Sequence, residues 1–282
     1  MDLPIVVGVD GSEPSMRAVD WATDGAALRG ASLRLVYASL WERYEGTSLA
    51  QDLDKPDEQV RAEDIVATAA RRAHSRRPDV EVTTDVLPEE PEYALVRESR
   101  TAAALVLGSR GRSSLAETLL GSVGVTVAGH AYCPVIVVRG SHDNRVRTGA
   151  RRIVLGVGEK PADAAAVRFA VEEAKRRGVP LEAVRAWRCH PLMTGEPARL
   201  HKERAVEELG AALQDVPADA EVHRRTVGGH ARRVLLDASA DGGLLVVGAR
   251  RREGHFGLQL GGVAHAVLHH SACPVAVVPQ RA

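Results

Sequence analysis

Aromatic side chains are scarce, at 3% of the 282 residues. So few rings leave no ladder of stacking platforms for single-stranded nucleic acid. A charge excess of one sign is also absent. The 37 basic and 37 acidic residues cancel, which removes the global electrostatic pull toward nucleic acid or an anionic membrane. Cysteine is limited to Cys133, Cys189 and Cys273. These are odd in number and far apart, with no metal-type or redox-type pair, so small buried thiols in a reducing cytoplasm are expected. No apolar run approaches the about 18–20 residues that span a bilayer. The opening MDLPIVVGVD has no basic region and its apolar run stops at Asp10, so no secretory signal is expected. What is present, 45% hydrophobic and 26% charged residues, suits a globular chain that buries real cores rather than a disordered one.

The chain repeats itself. IVVGV at 5–9 returns as IVLGV at 153–157, and LRLVYA at 33–38 as LEAVRA at 181–186, with an offset of 148. Further on, ALVLG at 104–108 returns as LLVVG at 244–248, and CPVIVV at 133–138 as CPVAVV at 273–278, with an offset of 140. The second copy is therefore eight residues shorter after its second strand. A repeat of this length is a domain, not a solenoid unit. The expected division is a first domain over 1–140, a polar linker over 140–150 and a second domain over 151–282.

Within the first copy, strands are expected near 4–9, 32–38, 80–87, 104–108 and 134–139. Runs such as PIVVGV are continuously apolar, as in parallel strands buried on both faces. Between them lie helical stretches near 14–29, 57–76, 90–102 and 121–132, the first ending at Gly30 where a left-handed cap belongs. The alternation predicts an α/β fold: two tandem doubly wound domains, each a five-stranded parallel sheet with about four helices. Ligands of such sheets bind beyond the carboxyl ends of the strands, where the strand order reverses. That directs attention to the loops after strands one and four.

After strand four stands Gly108-Ser109-Arg110-Gly111, then nine residues, then Gly121-Ser122 opening a helix. Glycines let backbone amides approach an anion without an intervening Cβ, and the helix start offers free N–H groups and a positive dipole end. The Ser122 hydroxyl can donate to a phosphate oxygen or cap the helix, and Arg110 or Arg112 can add charge. The alternative is a loop whose glycines only serve turns. After strand one, the Asp10 carboxylate can accept from ribose or an adenine amine or help hold Mg²⁺, or Asp10-Gly11 can simply form a turn.

IVVGVDGS (5–12), LVYA (35–38), GSRGRSS (108–114), GSV (121–123) and CPVIVV (133–138) together resemble the universal stress protein family, in its nucleotide-binding type, over nearly the whole chain and twice over. The resemblance implies a five-stranded α/β domain that binds ATP, usually with a divalent metal, forms dimers through its last strand and serves stress survival or dormancy. By the match, Gly8, Val9 and Asp10 lie against base and ribose, and Ala38 meets adenine through its backbone. Gly108, Ser109, Arg110, Gly111, Arg112, Ser113, Ser114, Gly121, Ser122 and Val123 hold ribose and phosphates, and Asp10 is the candidate Mg ligand. The family often has Thr three residues after the second motif Gly. Here Gly124 stands there, which removes one polar contact.

The second copy departs at the pocket. Gly158 replaces Asp10, Arg251 replaces Gly111, and Gly262 replaces Ser122. Arg251 places a Cβ and a long cation where backbone should meet phosphate, so this copy is expected to bind ATP weakly or not at all. The alternative is a pocket re-formed by glycines in 254–262. GVGEKP at 156–161 is a poor dinucleotide fingerprint, because Pro161 stands at the third glycine, and no phosphate-loop lysine motif occurs. His265, His269 and His270 read as a helix-surface or dimer-facing cluster more readily than a zinc site. Arg250, Arg251 and Arg252 read as a solvated or pocket-filling run. The loops at 39–56 and 187–196 are candidate lids or plain surface excursions.

The expected function is a cytoplasmic tandem protein holding an adenine nucleotide as a regulatory ligand, with its two copies packed as an internal pseudo-dimer through the last strands, a homodimer of chains, an unidentified protein partner, and neither nucleic acid nor membrane as partner. The alternatives are a slow ATP hydrolase or nucleotidyl-transfer enzyme, and a nucleotide-free interaction module. Gly111→Arg gives the first loop the second copy's residue. It should abolish nucleotide affinity in an equilibrium titration; unchanged affinity would show that the glycine is only a turn residue.

Overall fold

Continuous apolar runs become strands with no exposed face. Ile5, Val6 and Val7 of β1 (Ile5–Gly8) are fully buried, as are Leu105 and Val106 of β4 (Ala104–Gly108). The structure is a computed structural model describing residues 3–40, 57–109, 121–139, 152–158, 164–187, 196–249 and 260–280. The expected linker at 140–150 and nearly all of the loops at 39–56 and 187–196 lie outside the described residues.

The chain divides into two units, Met1–Val138 and Arg139–Ala282. The first alternates β1, α1 (Glu13–Arg29), β2 (Leu33–Ala38), α2 (Asp57–Arg76), β3 (Val82–Leu87), α3 (Pro91–Glu98), β4, α4 (Ser122–His130) and β5 (Val135–Val138). Its strands lie in the order β3-β2-β1-β4-β5, and every pairing is parallel. The second repeats this with β6 (Ile153–Gly156), α5 (Ala164–Arg177), β7 (Leu181–Trp187), α6 (Glu196–Ala212), β8 (Val222–Gly228), α7 (Ala231–Ser239), β9 (Leu244–Ala249), α8 (Gly262–His270) and β10 (Val275–Pro279), ordered β8-β7-β6-β9-β10 and again parallel. This is the α/β architecture expected of the repeat, with four helices per unit among the described residues. None of them is long and apolar enough to cross a membrane.

Local chemistry sets the helix ends. Ser12 caps α1, its Oγ accepting from the Ser15 amide at 3.3 Å, and Pro14 sits in the first turn where no N–H is needed. Gly30 takes φ +62°, its amide reaching Ala27 O while the Ala31 amide reaches Ala26 O. Gly178 ends α5 with the same φ and the same pair of bonds, to Lys175 O and from Val179 to Ala174 O. Two paired forks join α1 to α2: Arg72 grips Asp20 at 2.8 and 2.6 Å, and Arg76 grips Asp24 at 2.7 Å twice.

The third helix is shorter than expected and tightens into a 3₁₀ turn at Ser99–Thr101. A buried serine stands at this point. Ser99 Oγ donates to Val96 O at 2.6 Å and accepts the Tyr132 amide at 2.9 Å, tying the helix end to the turn before β5. Ser239 does the same in the second unit, with Leu236 O at 2.7 Å and the Ala272 amide at 3.0 Å. Cys133 and Cys273 are buried beside these turns, as packing thiols.

The histidines of α8 divide. His265 and His270 are exposed, but His269 is 7% exposed, with its ring centroid 4.4 Å from that of His265. A surface cluster describes two of the three. Among the described residues no group of three metal-ligating side chains converges. Burial holds His269 below its usual pKa, aided by the charges of His265 and Arg139. Below about pH 6.5 the unfolded chain then takes up a proton that the folded chain resists. Stability should fall as pH drops from neutrality toward the lowered value, and His269→Gln should flatten that slope in melting temperatures measured across this range. An unchanged slope would assign the loss to other groups.

Candidate functional site

The strand order places β1 and β4 side by side while their crossovers leave in opposite directions, so the crevice of the first unit lies at their carboxyl ends. Two close approaches shape it. A Cβ on Gly108 would lie 2.6 Å from the Pro14 carbonyl carbon, 2.7 Å from its oxygen and 2.8 Å from the Ser15 nitrogen. The end of β4 therefore abuts the main chain of the first turn of α1, which leaves no room for a side chain. A Cβ on Gly8 would lie 2.7 Å from Leu107 Cδ2 and 3.2 Å from Leu95 Cδ1, so this glycine admits side chains from β4 and α3.

Asp10 follows in a turn of its own making. Its Oδ1 accepts from the Ser12 amide at 3.0 Å and the Ser12 hydroxyl at 2.6 Å, while Gly11 takes φ +80°. Ser15, buried, donates its hydroxyl to Ser12 O at 2.8 Å and accepts the Asp10 amide at 3.4 Å. Ser12 and Ser15 thus orient the carboxylate and cap α1 in one network. The sequence reading gave neither a role, although the D-x-S-x-x-S spacing signals such a turn and cap.

The remaining candidates fall in four groups. Val9 is buried with its amide bonded to Val36 O at 2.9 Å, and Ser109 is buried with its amide bonded to Val138 O at 3.1 Å. Their N–H groups are committed to the sheet. Ala38 ends β2, half-buried, paired with Leu87. Gly121, Ser122 and Val123 open α4. Gly121, with ψ 159°, is itself the cap, so Ser122 is the first helical residue and is exposed. Among the described residues no side chain caps this helix start, and a Cβ built on Gly121 meets none of them within 4 Å. Among those residues the first amides of α4 have no side-chain partner. Arg110, Gly111, Arg112, Ser113 and Ser114 lie outside the described residues. The structure thus brings together the turn after β1 and the end of β4, and among the described residues no side chain caps the α4 amides.

In the second unit Val157 donates to Val184 O as Val9 does to Val36, and a Cβ on Gly156 would strike Leu235 Cδ1 at 2.8 Å as Gly8 does Leu95 and Leu107. Gly158, at the position of Asp10, is exposed and brings no carboxylate. β9 runs one residue beyond its glycine, Ala249 pairing with Pro279. Gly261 caps α8, and among the described residues no side chain bonds this cap and none lies within 4 Å of a Cβ built on Gly261 or Gly262. Arg250, Arg251 and Arg252 lie outside the described residues.

Two parallel five-stranded α/β units, each with a strand-order reversal between its first and fourth strands, define a tandem protein of the doubly wound class. The chain belongs to the universal stress protein family, whose family model matches residues 3–139 and again 149–279. It is similar to a universal stress protein of Mycobacterium tuberculosis, with 31% identity covering 99% of this chain and 96% of that one. In fold it is similar to a universal stress protein from Archaeoglobus fulgidus, with a TM-score of 0.68, 17% identity and coverage of 99% of this chain and 98% of that one. A universal stress protein solved in complex with cAMP covers 49% of this chain and 98% of its own, with 30% identity and a TM-score of 0.38.

The glycines of the site should separate in stability. Gly108→Ala forces a methyl into main chain and should cost about 1–3 kcal/mol. Gly121→Ala, at φ −64° with open space around it, should cost less than about 1 kcal/mol. Denaturant unfolding of both variants checks the order, and equal losses would contradict the packing account of Gly108.

Proposed function

We propose that the first unit binds an adenine nucleotide, ATP with Mg²⁺, as a regulatory ligand in stress response or dormancy. The observation that carries this reading is the start of α4 at Gly121, where among the described residues no side chain caps the first amides, which are the groups that would receive phosphate oxygens. Gly121, Ser122 and Val123 would receive the phosphates, and Ala38 at the end of β2 would meet the base through its backbone. Gly8 and Gly108 serve by letting Leu95, Leu107 and the main chain of the first turn of α1 pack closely beneath the crevice. Asp10 is the described carboxylate at the crevice. It fits Mg²⁺ in the usual manner of that ion, which takes one or two carboxylates and completes its shell with phosphate oxygens and water. Ser12 already orients Asp10 Oδ1, so the carboxylate is set before the ligand arrives. The bound nucleotide acts by favouring one conformation or one partner over another.

The second unit, with Gly158 for Asp10 and β9 extended past Gly248, binds nucleotide weakly or not at all. Calorimetric titration of the full chain with Mg-ATP should therefore give one site per chain, and mass spectrometry should find adenine nucleotide released from the purified protein. Asp10→Asn should weaken affinity about tenfold, or about 1.4 kcal/mol. Two equal sites would overturn the assignment of the second unit. No heat and no released nucleotide would overturn the reading altogether.

A further inference from the structure

The third strand and third helix carry different charges in the two units, acidic to basic at two positions and basic to acidic at one. Along the repeat, Asp85 corresponds to Arg225, Glu90 to His230, Glu92 to Arg232, Tyr93 to Arg233 and Arg97 to Asp237. The framework beneath them is the same. Leu95 and Leu235 pack on Gly8 and Gly156, and Ser99 and Ser239 make the same two hydrogen bonds. One scaffold thus presents two opposite faces. On α3, Glu90 is exposed, Glu92 is half-buried, and Tyr93 is 73% exposed, more than any other large hydrophobic side chain among the described residues. On α7, His230, Arg232 and Arg233 are exposed, and among the described residues their side chains enter no ion pair; Arg224 on β8 is likewise exposed and unpaired. Arg232 and Arg233 stand in the first turn of α7, where the helix dipole disfavours cations, whereas α3 carries Glu92 there.

We infer that the α3 face of Glu90, Glu92 and Tyr93 on one chain docks on the α7 face of His230, Arg232 and Arg233 on a second copy of this chain. The carboxylates answer the guanidinium groups, and the exposed Tyr93 ring offers a surface on which a guanidinium can stack. Anions of the chain's own sequence complement the basic face, while the balanced total charge gives no general attraction for nucleic acid. A two-fold pair would use the contact twice, once in each direction. The contact uses no residue of β5 or β10.

Analytical ultracentrifugation of the full chain tests this. The wild type should associate at about 50 mM salt and return to a single-chain mass at about 500 mM, where exposed charges are screened. Arg232→Glu with Arg233→Glu should abolish association at low salt, and so should Glu90→Lys with Glu92→Lys. An equimolar mixture of these two variants should associate again, because each then supplies the face the other lacks. Tyr93→Ala, a lone exposed substitution, should weaken association at least about threefold without charge reversal. A single-chain mass for the wild type at low salt would overturn the inference. So would association untouched by either reversal, a mixture that fails to recover, or capture of duplex DNA by the basic face of a chain that does not self-associate.

Discussion

A methyl group has no place at the end of β4. Gly108 stands with the Pro14 carbonyl and the Ser15 amide nitrogen where its Cβ would be, so the fourth strand and the first turn of α1 meet main chain to main chain. That approach brings the turn after β1 into the same crevice as the exit of β4, which is where a doubly wound sheet leaves room for a ligand. Asp10, Ser12 and Ser15 are then locked to one another on the rim. A bulkier residue at 108 would push α1 away from the sheet and take the carboxylate with it. Packing and site geometry are therefore one constraint at this position.

The two units keep what holds the sheet and vary what faces outward. Left-handed glycine caps, the glycine that admits a leucine from the third helix, and the buried serine that ties that helix to the last turn recur in both. Each is enforced by close packing or by a buried polar group that must find partners, so substitution there is expensive. The hydroxyl at the start of the fourth helix and the charges at the start of the third helix are under no such restraint, and these differ between copies, as does the carboxylate after the first strand. Exposed polar positions are free to specialise, and a tandem chain can hold a ligand with one copy and answer a partner with the other.

The fold was legible because its signals are local and repeated. Continuous apolar runs separated by helical periodicity fix a parallel sheet, and the recurrence of IVVGV, ALVLG and CPVIVV doubles it. The candidate site was legible in position but less so in the duty of each residue. Motif glycines 8 and 108 read as approaches for a ligand, yet the neighbours that exclude a side chain there are Leu95 and Leu107 in one case and Pro14 with Ser15 in the other. Ser122 reads as a possible cap, yet Gly121 takes that place. The Ser12 and Ser15 network went unread because it depends on which way a carboxylate turns, which spacing alone does not settle.

By itself the sequence determined the number of units, their strand and helix order, their parallel sense and the edge at which chemistry gathers, since burial patterns and chain connectivity leave few alternatives. Only the tertiary structure decided which amides are already spent on the sheet, as at Val9 and Ser109, and that among the described residues no side chain caps the start of α4 at Gly121. It also decided that one histidine of three on the last helix is buried, and that residues 140 apart share a framework while reversing their charge. Such facts depend on distances between segments remote in the chain, and those distances are set by packing rather than by any local pattern.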